Sequence, residues 1–125
     1  MPRKRKTDSY VLNYTIGNVA KRTGETRKKV ARWLKKQTSV AVECPFCKAG
    51  LSIGKFAVDH KNPISRGGSA LLANCWLTCQ PCNRAKGDLT VDEFSALLDF
   101  LTCQSERMKK SVLARRKIAG AMYRG

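Results

Sequence analysis

Apolar residues recur at helical spacing late in the chain, at Val91, Phe94, Leu97, Leu98 and Leu101. Thr90 and Glu93 stand before them as the hydroxyl and carboxylate of a capping box. The pattern therefore predicts an amphipathic helix that opens at Thr90 and closes the core. An earlier helical pattern runs from about Ile16 to Lys36. Within it Ala20 permits close helix approach, Gly24 makes a turn, and Val30 and Trp33 anchor the second half. The period changes between these flanks. Leu51-Ser52-Ile53 and Phe56-Ala57-Val58-Asp59-His60 predict a hairpin turning at Gly54-Lys55. Lys61 to Ser69 reads as a loop by its Pro63, Gly67 and Gly68, and Leu71 to Thr78 leads back toward Cys79. Cys82 to Lys86 predicts a short helix ended by Gly87.

Composition adds a partner class. The 125 residues make one domain with a short appendage, and 42% hydrophobic residues allow a modest core. Twenty-five Lys and Arg against nine Asp and Glu give a net charge of +16, which argues for a polyanionic partner, nucleic acid first. Twelve of those basic residues fall in residues 1–39, where only two acids offset them. The stretch from Ile16 to Leu34 resembles a helix-turn-helix, although Glu25 stands where an apolar residue is usual after the turn glycine. The other reading is a plain basic helix packed on the centre through Val19, Val30 and Trp33. Either version turns Lys28, Lys29 and Arg32 toward phosphate. The basic residues beyond Cys103, from Arg107 to Lys117, read equally as a solvated face or as phosphate contacts. No apolar run reaches the ~20 residues of a spanning helix. The basic start, Arg3 to Lys6, is not followed by the apolar stretch of a signal peptide, so an intracellular location is expected. No P-loop or GxGxxG fingerprint appears.

Five of the six cysteines and the only histidine lie in residues 40–90. Cys44-Pro45-Phe46-Cys47 and Cys79-Gln80-Pro81-Cys82 are two C-x-x-C knuckles, each placing two thiolates on one tight turn. Together they offer the four soft ligands of a tetrahedral structural zinc. Reduced thiols in an intracellular protein bind metal more often than they form disulfides. A redox role is the alternative for a C-x-x-C, and the lack of a βαβ pattern disfavours it. The 31 intervening residues are long for a simple zinc ribbon, so something folded must be inserted there. Cys75 and Cys103 fall outside the pairs and are expected to be buried thiols.

The insert resembles the HNH endonucleases, which have a ββα-metal active site. The resemblance rests on Cys44-x-x-Cys47, Asp59-His60-x-x-Pro63, Gly67-Gly68, Asn74 and Cys79-x-x-Cys82-Asn83-x-x-Lys86, and it covers about residues 44–87. The family's last motif residue is often histidine and here is Asn83, which makes this an HNN version. The chain is also similar to small nucleases encoded by phages and mobile introns. The implied fold class is α+β: a small ββα-metal nuclease core on a zinc-knuckle frame, flanked by basic helices. Residues 1–39 are then a basic helical arm, 40–90 the nuclease core, and 91–125 C-terminal helices with a basic tail.

The resemblance implies a DNA endonuclease that leaves 3′-hydroxyl and 5′-phosphate ends. Hydrolysing a phosphodiester needs an activated water, charge relief on the phosphate and a stabilised leaving oxygen. Histidine is the side chain whose ordinary pKa lies near neutrality, which makes His60 the natural general base. Asp59 and Asn83 offer one charged and one neutral oxygen to a divalent ion, Mg²⁺ or Mn²⁺, and leave positions open for water and phosphate. Neighbours on a strand point to opposite faces, so the strand is expected to end or bend at Asp59-His60. Asn74 inherits from the family the bracing of the loop that presents the histidine. Lys61, Arg66, Arg84 and Lys86 are expected phosphate clamps. On this reading Asp59→Ala leaves folding intact and abolishes cleavage.

The expected partner is double-stranded DNA, with a phage or host protein as a further candidate and no membrane. The implied setting is the cytoplasm of a bacterial or phage-infected host. A monomer would nick, whereas cutting both strands would need a dimer, and the sequence shows no dimer seam. The alternative is a non-catalytic zinc module that binds nucleic acid through charge alone. Such a module has no reason to carry Asp59, His60 and Asn83 together.

Overall fold

Thr23, Gly24 and Thr26 break the basic N-terminal stretch into two helices. The computed structural model describes residues 8–39, 42–52 and 55–122. Helix α1 spans Asp8–Thr23 and α2 spans Arg27–Gln37. Gly24 adopts φ +72°, a left-handed conformation that glycine accepts without steric cost, and its N–H donates to the Ala20 carbonyl at 3.0 Å. The Thr26 hydroxyl then caps α2 by accepting from the Lys29 amide at 3.2 Å. Glu25 has a local reason to be there: its carboxylate pairs with Lys29 at 3.0 Å, one turn along α2. The first helix begins eight residues before the expected Ile16. Arg3 to Lys6 lie outside the described residues.

The sheet has two strands, β1 at Phe56–His60 and β2 at Cys75–Cys79. They pair antiparallel, from Phe56 opposite Cys79 to His60 opposite Cys75. Among the described residues this differs from the expected hairpin, in which Leu51-Ser52-Ile53 paired with β1, although the Lys55 amide does donate to the Ser52 carbonyl at 2.9 Å where the turn was expected. The Leu51 amide instead donates to the Val42 carbonyl at 2.8 Å, while Ile53 and Gly54 lie outside the described residues. Pairing with the distant strand carries Cys79 back to the first knuckle, which a local hairpin would not do.

Phe56 and Val58 of β1, with Leu77 of β2, face the helical pair. They pack with Leu34 and Trp33 of α2 and with Leu12 and Ile16 of α1. A neighbouring cluster joins Val19, Val30 and Leu72. On the sheet's other face Trp76 meets Phe46 edge-on, with ring centroids 5.5 Å apart. Phe46 in turn meets Phe94 at 4.8 Å. Such edge-to-face pairs contribute about 0.5–1.5 kcal/mol each beyond their area.

Helix α3 covers Gln80–Lys86, α4 Val91–Thr102 and α5 Glu106–Met122. The expected capping box is present: the Glu93 amide donates to the Thr90 hydroxyl at 3.2 Å, and the Thr90 amide donates to the Glu93 carboxylate at 2.9 Å. Phe94 and Leu101 are buried, and Val91, Leu97 and Leu98 are half-buried. From α5, Arg116 reaches the end of α3 and donates to the Ala85 and Lys86 carbonyls at 3.0 and 2.9 Å. Part of the basic tail is therefore a helix C-cap rather than a free cationic face. Cys75 is buried as expected, but Cys103 is exposed because the buried stripe of α4 ends at Leu101.

Candidate active site and metal centre

Each knuckle is built from a tight backbone turn. In the first, Cys44 donates its N–H to the Ala49 carbonyl at 2.8 Å, and Lys48 sits at φ +64° to reverse the chain. In the second, Cys79 caps α3 with its sulfur, which accepts the Cys82 amide at 3.3 Å, and Pro81 occupies the first turn where no N–H is needed. The register of β1 with β2 brings the two turns together. All four ligand sulfurs of Cys44, Cys47, Cys79 and Cys82 lie within 4.8 Å of one another, and those of Cys47 and Cys79 are 3.6 Å apart. Tetrahedral zinc with bonds of ~2.3 Å needs sulfurs separated by roughly 3.8 Å. The cluster fits a structural zinc in both ligand type and spacing.

Thiols this close cannot all ionise without a cation. Burial opposes ionisation of Cys44, but amide donors from Cys47, Cys79 and Phe46 outweigh it and lower that thiol to about 7. Burial, then the neighbouring thiols and the Cys44 charge, push Cys82 strongly up. A divalent metal removes this conflict by stabilising every thiolate at once.

The strand does end at His60, yet Asp59 and His60 both stay in register with β2, so their side chains take opposite faces. Asp59 is buried and each of its oxygens has a donor. Trp76, its cross-strand partner, gives Nε1–H to Oδ2 at 2.9 Å, and Lys86 gives its ammonium to Oδ1 at 3.2 Å. Burial pushes the Asp59 carboxyl up from its ordinary value, with Lys86, Trp76 and His60 pulling it back in part. Lys86 is 0% exposed and also donates to the His60 carbonyl at 2.9 Å. It therefore cannot clamp a phosphate, which corrects the expectation for a basic residue at that position. Contrary to the expectation that Asp59→Ala spares the fold, that change is predicted to destabilise it, because it would leave the buried Lys86 ammonium with one carbonyl.

His60 takes the opposite course. It is 6% exposed, and neither ring nitrogen has a hydrogen-bond partner. His60 lines a cavity of about 360 Å³ together with Asn83 and Arg84 of α3. Asn83 stands one turn before Lys86, on the same face of α3, so it sits at the end of β1 that Lys86 holds. Among the described residues its side chain has no partner. Asp59 is not part of the cavity wall. Its carboxylate uses two of about four lone-pair positions, so it retains acceptor capacity. One carboxylate and one amide oxygen suit a hard divalent ion that fills its other positions with water and phosphate.

Asn74 ties down the loop that leaves β1. Its Nδ2 donates to the Asn62 and Ser69 carbonyls at 2.8 and 2.7 Å, and its Oδ1 accepts the Asn62 amide at 3.1 Å. The paired glycines close the same loop. Gly67 adopts φ +85°, and a Cβ on Gly68 would run into the Asn62 carbonyl. Gly68→Ala is therefore expected to cost about 1–3 kcal/mol, read as a lower melting temperature at unchanged zinc content.

The remaining expected phosphate contacts divide. Arg84 is exposed and without an ion pair among the described residues. Lys61 is exposed with its ammonium 5.2 Å from the Trp76 ring centre. Arg66 is instead engaged with Glu93 through two hydrogen bonds of 2.8 and 3.2 Å, and with the Asp88 carbonyl at 3.3 Å. Hydrogen bonds from Arg66 and the Thr90 amide lower the Glu93 carboxyl to about 2. This pair ties the glycine loop to the start of α4, a structural use for a residue expected to face DNA. Lys28, Lys29 and Arg32 are exposed on α2, with Lys29 paired to Glu25.

Residues 44–89 match the family model described as HNH endonuclease. This stretch, about a third of the chain, is similar to an HNH domain. No curated protein and no solved structure gives a significant match to the chain. The matched stretch takes in both knuckles, β1, β2 and α3. No helix among the described residues is long and apolar enough to cross a membrane.

The cavity also has a wall that sequence reasoning missed. Tyr14, Asn18 and Arg22 of α1 line it across from the HNH domain. Their four-residue spacing places them on one helix face, and that polar stripe was the available signal. Cys75 lines the cavity too, with burial pushing its thiol up to about 11, so it stays neutral.

Proposed function

We propose that the chain is a metal-dependent DNA endonuclease in which His60 is the general base. The observation that carries this reading is His60: buried, among the residues lining a polar cavity, and with both ring nitrogens unpartnered. Leaving a buried polar group unsatisfied costs about 1–3 kcal/mol, so an orphaned imidazole points to a group that arrives with substrate. A ring nitrogen of His60 would take the proton of a water as its oxygen bonds to phosphorus. The bond from phosphorus to the 3′ oxygen then breaks, and that oxygen gains a proton from solvent. The products carry a 5′-phosphate and a 3′-hydroxyl. Asp59 and Asn83 would hold Mg²⁺ or Mn²⁺, which supplies charge relief at the phosphate and the leaving oxygen. Lys86 would fix both Asp59 and the His60 backbone for that work.

The substrate proposed is double-stranded DNA, nicked or cut on both strands, inside a bacterial or phage-infected cell. The net charge of +16 and the exposed Lys28 and Arg32 support a long polyanion over a small phosphate ester. Supercoiled plasmid incubated with zinc-loaded wild type and His60→Ala, in Mg²⁺ and in EDTA, tests the proposal. Wild type is expected to nick only with Mg²⁺, and His60→Ala to lose about 10²–10⁴-fold in rate. DNA binding by both proteins with no cutting by either would favour the non-catalytic zinc module. Equal cutting by both would remove His60 from the role of base.

A further inference from the structure

The cavity beside His60 is shared between the HNH domain and a helix outside it. Asn18 and Arg22 of α1 line the cavity together with His60, Asn83 and Arg84 of the domain. None of these five side chains has a hydrogen bond or ion pair among the described residues, and no carboxylate lines the cavity. Two unpaired guanidiniums and three further polar groups around about 360 Å³ make an anion site. The second, independent sign of a ligand is the His60 ring, 6% exposed with both nitrogens unsatisfied.

We infer that α1 is the facing jaw of the cleft, and that Arg22 and Arg84 grip one backbone phosphate of a DNA strand from α1 and α3 respectively. The inference rests on the endonuclease reading and extends it to a residue outside the HNH domain. Arginine suits the position because its planar fork binds two phosphate oxygens at once, which a lysine cannot do. Asn18, one turn before Arg22, adds a neutral donor. Packing of Val19 on Val30 and Leu72 fixes the helix against the rest of the protein, so the jaw is preset.

Full-length zinc-loaded Arg22→Ala and Arg22→Lys test this through two readouts. One is single-turnover nicking at saturating plasmid with Mg²⁺. The other is the salt dependence of DNA binding in EDTA. Arg22→Ala is expected to lose about 100-fold in nicking rate, the scale of one charge-stabilising donor. Its log–log salt slope should be shallower by about 1, one phosphate contact fewer. Arg22→Lys should recover the slope and only part of the rate. Wild-type rate and slope in Arg22→Ala would overturn the inference. If the wild type binds DNA without cutting, the endonuclease reading fails, and the slope alone decides whether Arg22 touches phosphate. Should Arg22→Ala melt early, Arg22→Gln, which keeps a long helix-forming side chain, repeats both measurements.

Discussion

Cys44→Ser and Cys82→Ser are each expected to abolish the cooperative melting transition of the HNH domain and its bound zinc. The first knuckle is anchored by Phe46 on Trp76 and Phe94 and by the flanking Val42 and Leu51, while Cys47 to Gly50 are exposed. A zinc held by the four cysteines would be its link to Cys79 and Cys82. Binding of structural zinc to small domains is worth roughly 10–16 kcal/mol, about the whole stability of an ordinary domain. A serine hydroxyl is a poor replacement for a thiolate, and it leaves three crowded sulfurs whose ionisation burial opposes. Circular dichroism melts with zinc content measured on the same samples would check this. A soluble, zinc-free variant melting cooperatively near the wild-type temperature would show that the apolar core suffices. Cys103→Ser serves as the control, since that thiol is exposed and far from the cluster in sequence, and it should leave the melt unchanged.

What the sequence made legible is what local chemistry encodes. The knuckles announce themselves by spacing, the start of α4 by Thr90 and Glu93, and the turn between α1 and α2 by a glycine that takes a positive φ. Non-local pairing was not legible. Leu51-Ser52-Ile53 looked like the partner of β1 because it is adjacent and apolar, yet the partner is β2, chosen by the metal frame that needs Cys79 beside the first knuckle. Arg66 and Lys86 read as surface cations because lysine and arginine are seldom buried or internally paired. Their acids, Glu93 and Asp59, lie 27 residues away in each case, beyond any local pattern. The α1 wall of the cavity was hidden for the same reason, since its polar stripe resembles an ordinary solvated helix face until the sheet is placed against it.

Lys86→Met is expected to destabilise the protein by about 3–5 kcal/mol, the usual loss when one partner of a buried ion pair is removed. The variant keeps the packing volume of the lysine stem but leaves Asp59 with only the Trp76 indole as donor. Burial already pushes the Asp59 carboxyl up, and loss of the ammonium raises it further. A carboxyl whose folded value lies above its unfolded value adds stability while protonated, and that stability is lost as pH rises through the folded value. Lys86→Met should therefore fall further below wild type at neutral pH than at mildly acidic pH. Asp59→Asn in the same background keeps an oxygen acceptor for Trp76 and removes the stranded charge, so the double variant should regain most of the loss. Urea midpoints of the four corners, at two pH values and with zinc content checked, give the coupling between the two sites. Near-additive losses would mean that the 3.2 Å contact between Lys86 and Asp59 does little in solution. Strong coupling with no recovery of nicking by the stable double variant would separate the two uses of this pair. The fold needs the charge on Lys86 only because Asp59 is charged, and Asp59 must be charged only if it holds a metal ion.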